Sequence, residues 1–466
     1  MRETRVANLG VGGKFVSHSR SAQHLQGVMA TANGPFGWPL RGLFFLPMLG
    51  CSPLLLDAIG GEDNDGICPA GEFADIHALE VPTNVVRGAA VGPDGAVVMV
   101  GEHSIGFFVA KFDVERSLSW LLNLDEDLEP ATVALDDAGN IAVAGWRPPG
   151  TDPGPRAAFL TSVSPEGEHL KTLEYPLESS AVLDDIVIDL AREALVVATS
   201  QDVTAPADDV PRFRAVVTKH SFGGGATWER ALEGATSTRI ARSPSGDVVV
   251  GGSFAGTIDF GEGPLYANVD RNSYLLKLSP LGDPQWFHQA PRETFGGQAV
   301  LMSVAADASG TIYVAGEFDD NFGDGPNDPG GSQSPVFVVA LDNQGRRIWS
   351  RRYANQGDES SLVSRLTIND AGHAVLVGEF ADHVGLGDDR LVNASNTGHA
   401  VFVALLQTDG TFVWSAKVDG AAKIYSAFAT LDGNGVVGLA GLYGGTLVIG
   451  GREMSGGGWY LIDFCS

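Results

Sequence analysis

The chain has 466 residues, 44% of them hydrophobic and 19% charged, with a formal net charge of −27. That apolar content supports a substantial core and excludes a disordered chain. The charge offers no basic footprint for phosphate, so nucleic acid is excluded as a partner and anionic membrane surfaces are disfavoured, while cations and basic partners stay open.

No apolar run reaches the roughly 20 residues of a membrane-spanning helix. One short run stands out, Gly42-Leu43-Phe44-Phe45-Leu46-Pro47-Met48-Leu49-Gly50, with Arg41 before it and Cys51 after it. A positive residue, a short apolar stretch and a small residue at the cut describe an export signal. The segment resembles a bacterial lipoprotein signal, with Met48-Leu49-Gly50-Cys51 as the lipobox, although Met48 stands where that family usually has leucine. The resemblance implies lipidation at Cys51 and a place in the cell envelope, as an outer-membrane lipoprotein facing the periplasm or the cell surface. Met29 then reads as the true start. The plain alternative is a buried apolar strand with a stray cysteine. Residues 1–50 are thus a leader and signal, and 51–71 a flexible tether containing Gly60-Gly61-Glu62-Asp63-Asn64-Asp65-Gly66. Asp63 to Gly66 reads as a solvated turn, because Gly61 occupies the first ligand position of a calcium loop and no Glu follows at its twelfth.

From residue 72 onward a pattern recurs. A tight turn ends in glycine, alternating apolar residues follow, and a second glycine stands six residues on: Gly95/Gly101, Gly139/Gly145, Gly246/Gly252, Gly310/Gly316, Gly372/Gly378 and Gly435/Gly441, with Glu193/Thr199 as a degenerate copy. Alternation on both sides of a turn is the signal of a hairpin. A second hairpin follows each first one, and its turn carries glycine and tryptophan four residues apart: Gly224/Trp228, Gly282/Trp286, Gly345/Trp349 and Gly410/Trp414. Trp120 keeps the place with Arg116 in the turn, and Lys171 replaces the tryptophan after Gly167. A ring at one fixed place in every outer hairpin is expected to pack one repeat against the next, in preference to forming a carbohydrate platform. Four strands in each of seven repeats predict an all-β, seven-bladed β-propeller over residues 72–466.

Here the chain resembles the bacterial β-propeller repeat family of secreted and surface lipoproteins, most clearly at Val304-Ala305-Ala306-Asp307-Ala308-Ser309-Gly310-Thr311-Ile312-Tyr313-Val314-Ala315-Gly316. The outer hairpin, from Ala340-Leu341-Asp342 through Gly345 to Trp349, is similar to the tryptophan-docking motif of quinoprotein propellers, a kinship that includes a lipoprotein scaffold of outer-membrane assembly.

The seventh repeat holds only three strands, near Ser426–Leu431, Val436–Leu442 and Trp459–Phe464. The stretch Phe73 to Glu80 alternates like a strand and has no partner of its own. It is expected to pair antiparallel with Trp459–Phe464 and close the ring, sparing the sheets an open edge. With Cys51 lipidated, Cys68 and Cys465 remain, one at each end of that pair, and a disulfide between them would lock the closure in an oxidising compartment.

Both tight turns of each repeat fall on one face and the longer connections on the other, where function tends to sit. In the fourth to sixth repeats these connections are acidic: Asp259, Glu262 and Asp270; Asp319, Asp320, Asp324 and Asp328; Asp382, Asp388 and Asp389, with Asp358 and Glu359 on the approach. Asp319, Asp320, Asp324 and Asp328 form the densest candidate for calcium, with Gly323 and Gly325 allowing sharp turns, but without a recognised loop spacing. Solvated acidic loops account for them more simply. Asp259, Glu262, Asp382 and Asp388 are the candidate binding residues on the same face. His103 and His288 are candidates for the border of the central channel.

The sequence carries no His-Glu-x-x-His, Cys-x-x-Cys or Gly-x-Ser-x-Gly motif, and no catalytic residue is assigned. The expected function is a non-catalytic, monomeric binding scaffold at the envelope for a protein or glycan, with no cofactor required and calcium as a candidate ligand of the acidic loops. The alternatives are an exported enzyme, a quinone-dependent dehydrogenase or a polysaccharide-cleaving propeller, and a scaffold for outer-membrane assembly. The resemblance argues against the quinone version, whose propellers usually have eight blades and adjacent channel cysteines.

Overall fold

The computed structural model describes residues 73–79, 85–92, 94–103, 106–124, 128–147, 157–176, 182–188, 194–204, 211–221, 226–254, 256–260, 263–267, 272–290, 299–318, 336–353, 362–369, 371–386, 389–393, 400–418, 423–431, 437–449 and 452–464, all within a compact unit that spans Asp65–Ser466. Every element among the described residues is a strand. The first, β1 (Phe73–Leu79), stands apart in sequence from its sheet.

Sheet one holds β2 (Val85–Val91), β3 (Val97–His103), β4 (Gly106–Phe112) and β5 (Leu118–Leu124). Sheet two holds β6 (Glu129–Leu135), β7 (Ile141–Arg147), β8 (Ala157–Val163) and β9 (His169–Pro176). Sheet three holds β10 (Val182–Ile188), β11 (Ala194–Thr204), β12 (Pro211–Ser221) and β13 (Ala226–Glu233). Sheet four holds β14 (Ala235–Arg242), β15 (Val248–Phe254), β18 (Asn272–Leu278) and β19 (Pro284–Ala290), with a small ribbon of β16 (Thr257–Asp259) and β17 (Pro264–Tyr266) inserted at its middle. Sheet five holds β20 (Ala299–Ala306), β21 (Ile312–Phe318), β22 (Val336–Leu341) and β23 (Arg347–Tyr353). Sheet six holds β24 (Leu362–Ile368), β25 (Ala374–Phe380), β28 (Ala400–Leu406) and β29 (Phe412–Val418), with the ribbon β26 (His383–Leu386) and β27 (Asp389–Val392). Sheet seven joins β30 (Lys423–Leu431), β31 (Val437–Ile449) and β32 (Arg452–Phe464) to β1, which pairs antiparallel with β32 from Phe73↔Phe464 to Leu79↔Trp459.

All pairs are antiparallel, and the arrangement is that of a β-propeller. The innermost strands meet one another in succession: β2 with β6, β6 with β10, β10 with β14, β14 with β20, β20 with β24, β24 with β30, and β30 with β2. The cores lie between neighbouring sheets. Val98 and Val109 of sheet one pack with Val143 and Phe159 of sheet two, and Trp459 and Leu461 of sheet seven pack with Val86 and Phe108 of sheet one. The middle strands are covered on both faces, so β15, β18, β22 and β28 are buried along their whole length and lose strict alternation.

The repeat itself has a steric cause. Its first glycine closes the turn at positive φ, +78° at Gly139, while the Asp136 carboxylate accepts the Ala138 and Asn140 amides. Its second glycine lets the bulged inner strand come close. A Cβ on Gly145 would stand 2.0 Å from the Glu129 carbonyl, and one on Gly316 2.1 Å from the Val300 carbonyl.

The tryptophans pack sheet on sheet. Trp120, Trp228, Trp286 and Trp349 donate Nε1 to Pro165, Pro280, Asn343 and Thr408 carbonyls, each in the outer turn of the next sheet, at 2.8–3.1 Å. Each ring lies against that turn's glycine, so that a Cβ on Gly167 would stand 2.7 Å from Trp120 and one on Gly282 2.7 Å from Trp228. Sheet seven has no hairpin turn between β32 and β1. The last ring, Trp414, packs instead on Phe464 with centroids 5.6 Å apart, and its Nε1 has no hydrogen-bond partner.

The last hairpin is longer than the sequence suggested. β31 and β32 each run 13 residues and stay paired through Gly444↔Gly457 and Gly445↔Gly456. Alternation fades across these glycines, which hid the extension. Beyond them, Leu447 and Ile449 return to the core.

Candidate functional site

Register places one residue of every inner strand at a common level. These are the residues opposite the position just before the repeat's second glycine: Gly88↔Val100, Thr132↔Ala144, Asp185↔Ala198, Arg239↔Gly251, Ser303↔Ala315, Arg365↔Val377 and Phe428↔Ala440. A β-bulge precedes this level directly in five of the seven strands, as between Leu183 and Asp185 and between Val363 and Arg365. Bulges re-aim side chains. Three of the seven level residues are charged: Asp185, Arg239 and Arg365.

At this level side chains reach the backbone of the next sheet. Asp185 accepts the Ile240 amide at 3.0 Å and its neighbour Ile186 at 2.9 Å. Arg239 donates Nε to the Met302 carbonyl at 3.2 Å and Nη1 to the Thr238 carbonyl at 2.9 Å. Ser303 Oγ accepts the Leu366 amide at 3.1 Å, and Thr367 Oγ1 donates to the Ala429 carbonyl at 3.2 Å. Arg365, from sheet six, feels the charges of Asp185 in sheet three and Arg239 in sheet four. Burial pushes the Asp185 carboxyl above its ordinary range, against the pull of Arg365, the two amides and Arg239. Burial likewise lowers the Arg365 guanidinium, with Asp185 opposing and Arg239 reinforcing the shift. Asp184 turns to the interface of sheets three and four, where it accepts the Thr238 amide at 2.9 Å and, with burial, raises Tyr274.

Strand alternation puts the first-to-second and third-to-fourth turns on one face and the second-to-third connections on the other. The second face is built up unevenly. Sheets four and six add the ribbons β16–β17 and β26–β27, pinned by the buried Ile258, Val384 and Leu386, while sheets three and seven extend their middle strands. Asp259 stands exposed on the first ribbon, where its Oδ1 accepts the Gly263 amide at 3.2 Å. Asp382 is exposed beside the second, and its carbonyl accepts the Asn393 amide at 2.7 Å. Asp389 opens β27. Glu262, Asp270, Asp319, Asp320, Asp324, Asp328, Asp358, Glu359 and Asp388 lie outside the described residues, as do Cys51, Cys68 and Cys465. Among the described residues, no group of three or more His, Cys, Asp or Glu side chains could hold a metal ion.

His288 does not border the channel. It sits on β19, the outermost strand of sheet four, half-buried 5.0 Å from the Trp286 ring, because the four-strand order of the sheet carries it to the rim. Asp185, Arg239 and Arg365 went unnoticed in the sequence. The signal was present: a charge inside an apolar inner strand, always opposite the residue before the repeat's second glycine.

No family model and no curated protein matches the chain. Among solved structures it is similar to a Dos1 propeller (11% identity, TM-score 0.44, covering 84% of this chain and 94% of that one). It is also similar to a streptogramin B lyase (11%, 0.44, 84% and 97%) and to a protein of unknown function from Bacteroides caccae (14%, 0.37, 69% and 93%). The β-propeller class rests on the sheets described above, and these likenesses extend to fold alone.

Proposed function

We propose that the chain is an exported, lipid-anchored β-propeller that serves as a non-catalytic binding scaffold at the cell envelope. It holds an envelope protein or glycan on the acidic face of the long connections. One observation carries this reading: ribbons and extended hairpins raise sheets three, four, six and seven on that one face, while the described turns of the opposite face are tight. Asp259 and Asp382 stand exposed on the raised side.

In this reading the sheets are seven blades of a closed ring, and the N-terminal strand completes the last blade. The β1–β32 ladder and the unbroken succession of inner-strand contacts support that closure. Cys465 follows Phe464, the partner of Phe73, and Cys68 precedes Phe73 by five residues, which supports a disulfide there. Residues 1–50 are the signal, Cys51 the lipidated residue and 51–71 the tether.

Crosslinking of the full chain in its host envelope, followed by affinity capture, tests the reading. We expect one or two envelope components, lost when Asp259, Asp382 and the carboxylates of the 319–328 loop are neutralised together. Capture unaffected by that neutralisation overturns the assigned face, and a chain that stays soluble and unmodified overturns the anchor.

A further inference from the structure

We propose that β5, the outer strand of sheet one, is an interaction surface for a second copy of this chain, on which β5 of that copy pairs antiparallel. The surface lies on the rim and does not rest on the acidic face.

An outer strand leaves one edge of backbone donors and acceptors unpaired, and proteins guard such edges with charge or proline. Among the described residues β5 ends its sheet and bonds only to β4. The other outer strands are guarded. β9 carries Lys171 and Glu174, β13 Glu229, Arg230 and Glu233, β23 Arg347 and Arg351, β29 Lys417 and β1 Asp75, while β19 opens on Pro284 and holds His288. β5 reads Leu118-Ser119-Trp120-Leu121-Leu122-Asn123-Leu124, without charge, histidine or proline. Leu118 is 45% exposed, and Ser119 and Asn123 are exposed beside it.

The pattern of the strand selects the occupant. Apolar and polar residues read the same in both directions from Leu121. Antiparallel pairing about that residue sets Leu121 against Leu121 of the second copy, Trp120 against Leu122, Leu118 against Leu124 and Ser119 against Asn123. Each apolar side chain then meets an apolar one and each polar side chain a polar one, on matching faces, as a self-complementary two-fold contact requires. Charge points the same way. Two copies of a chain with net charge −27 repel each other, and β5 brings no like charge to the contact. Glu115 precedes the strand and Asp125, Glu126 and Asp127 follow it, so acids flank the pair and added salt should tighten it. An edge of seven residues, about 24 Å long, falls short of the roughly 1,200 Å² that stable interfaces bury. The dimer is therefore weak and reversible, and the expected monomer is its dilute state.

The test is sedimentation velocity of the full chain carrying Cys51→Ser, from micromolar to near-millimolar concentration, with amide hydrogen exchange at both ends of that range. Wild-type β5 should yield a reversible dimer, and the amides of β5 should gain protection as it forms. Ser119→Glu places a carboxylate opposite Asn123 of the second copy and should weaken association about tenfold or more. Adding Asn123→Lys to Ser119→Glu sets opposite charges face to face in this register and should restore the dimer. Adding Leu281→Lys instead puts the same charge at an exposed position of sheet four and should not. Exchange on the wild-type strand decides the question if a variant fails to fold. A monomer at every concentration, association unchanged by Ser119→Glu, recovery from Asn123→Lys no greater than from Leu281→Lys, or protection gained away from β5 alone overturns the proposal.

Discussion

Arg116 grips Asp463 with two hydrogen bonds, Nε to Oδ2 at 3.1 Å and Nη2 to Oδ1 at 2.8 Å, across 347 residues of chain. It joins the outer turn of sheet one to β32 of sheet seven, and both side chains are largely buried, at 9% and 14% exposure. The same turn position is glycine in the other described outer turns, where a tryptophan from the preceding sheet covers it. Sheet seven ends in β1 and sends no tryptophan, so the position is free to carry a side chain. Arg116 accepts a φ of +64° there and also donates Nη1 to the Gly95 carbonyl at 2.9 Å. Removing one partner of a buried pair strands the other, at a cost of about 3–5 kcal/mol. Asp463→Asn should therefore lower the urea midpoint sharply. Arg116→Gly should cost less than Arg116→Ala, because glycine relieves the left-handed backbone by roughly 1 kcal/mol. A double-mutant cycle in urea reads the coupling, and near-additive losses would show that the pair does not hold the seam.

Gly246 and Gly282 separate two reasons for a turn glycine. Both have φ near +80°, at +80° and +86°. A Cβ on Gly246 meets only Pro280, at 3.6 Å, whereas one on Gly282 would lie 2.7 Å from the Trp228 ring. Alanine at either should cost roughly 1–2 kcal/mol for the backbone. Gly282→Ala should cost clearly more, and tryptophan fluorescence should report the displaced ring. Equal losses would show that Trp228 yields without penalty.

How much the sequence revealed follows from how local each cause is. Gly139, Gly145, Trp120 and Trp349 each answer a steric demand inside one hairpin or between neighbours, and that demand recurs, so the pattern exposed the propeller and its docking rings. The β1–β32 pair was legible because Phe73 to Leu79 alternates without a nearby partner. The channel level was not, because Asp185, Arg239 and Arg365 are single charges in separate strands, and only the register of three sheets brings them together. The ribbons β16–β17 and β26–β27 were hidden for another reason. Three or four residues per strand are too few for alternation to register.

Lys277 and Asp247 form a buried ion pair at 2.9 Å, with 1% and 8% of their side chains exposed. Lys277 also donates to Asn343 of sheet five, while Ser245 and Gln285 donate to Asp247. Burial opposes ionisation of Asp247, but Ser245, Lys277 and Gln285 outweigh it and hold its carboxyl below the ordinary range. A depressed carboxyl contributes stability above its unfolded pKa, about 3.9, and loses that contribution as pH falls through the folded value. Asp247→Asn should thus lower stability by about 3–5 kcal/mol at neutral pH. It should also flatten the acid limb below pH about 4 in denaturation curves. A variant with an unchanged acid limb would remove Asp247 from the acid response.

His220 governs a different window. It is buried on β12 at 5% exposure, and burial lowers its pKa from 6.5 to about 4. The unfolded chain therefore binds a proton that the folded protein refuses between pH 6.5 and about 4. Stability should fall as pH drops through that interval, by on the order of 3 kcal/mol, and His220 should add nothing further below it. His220→Gln keeps a polar side chain and loses the titration. Urea midpoints taken from pH 7 to 4 should decline less steeply in this variant than in wild type, and parallel declines would assign the loss to other groups.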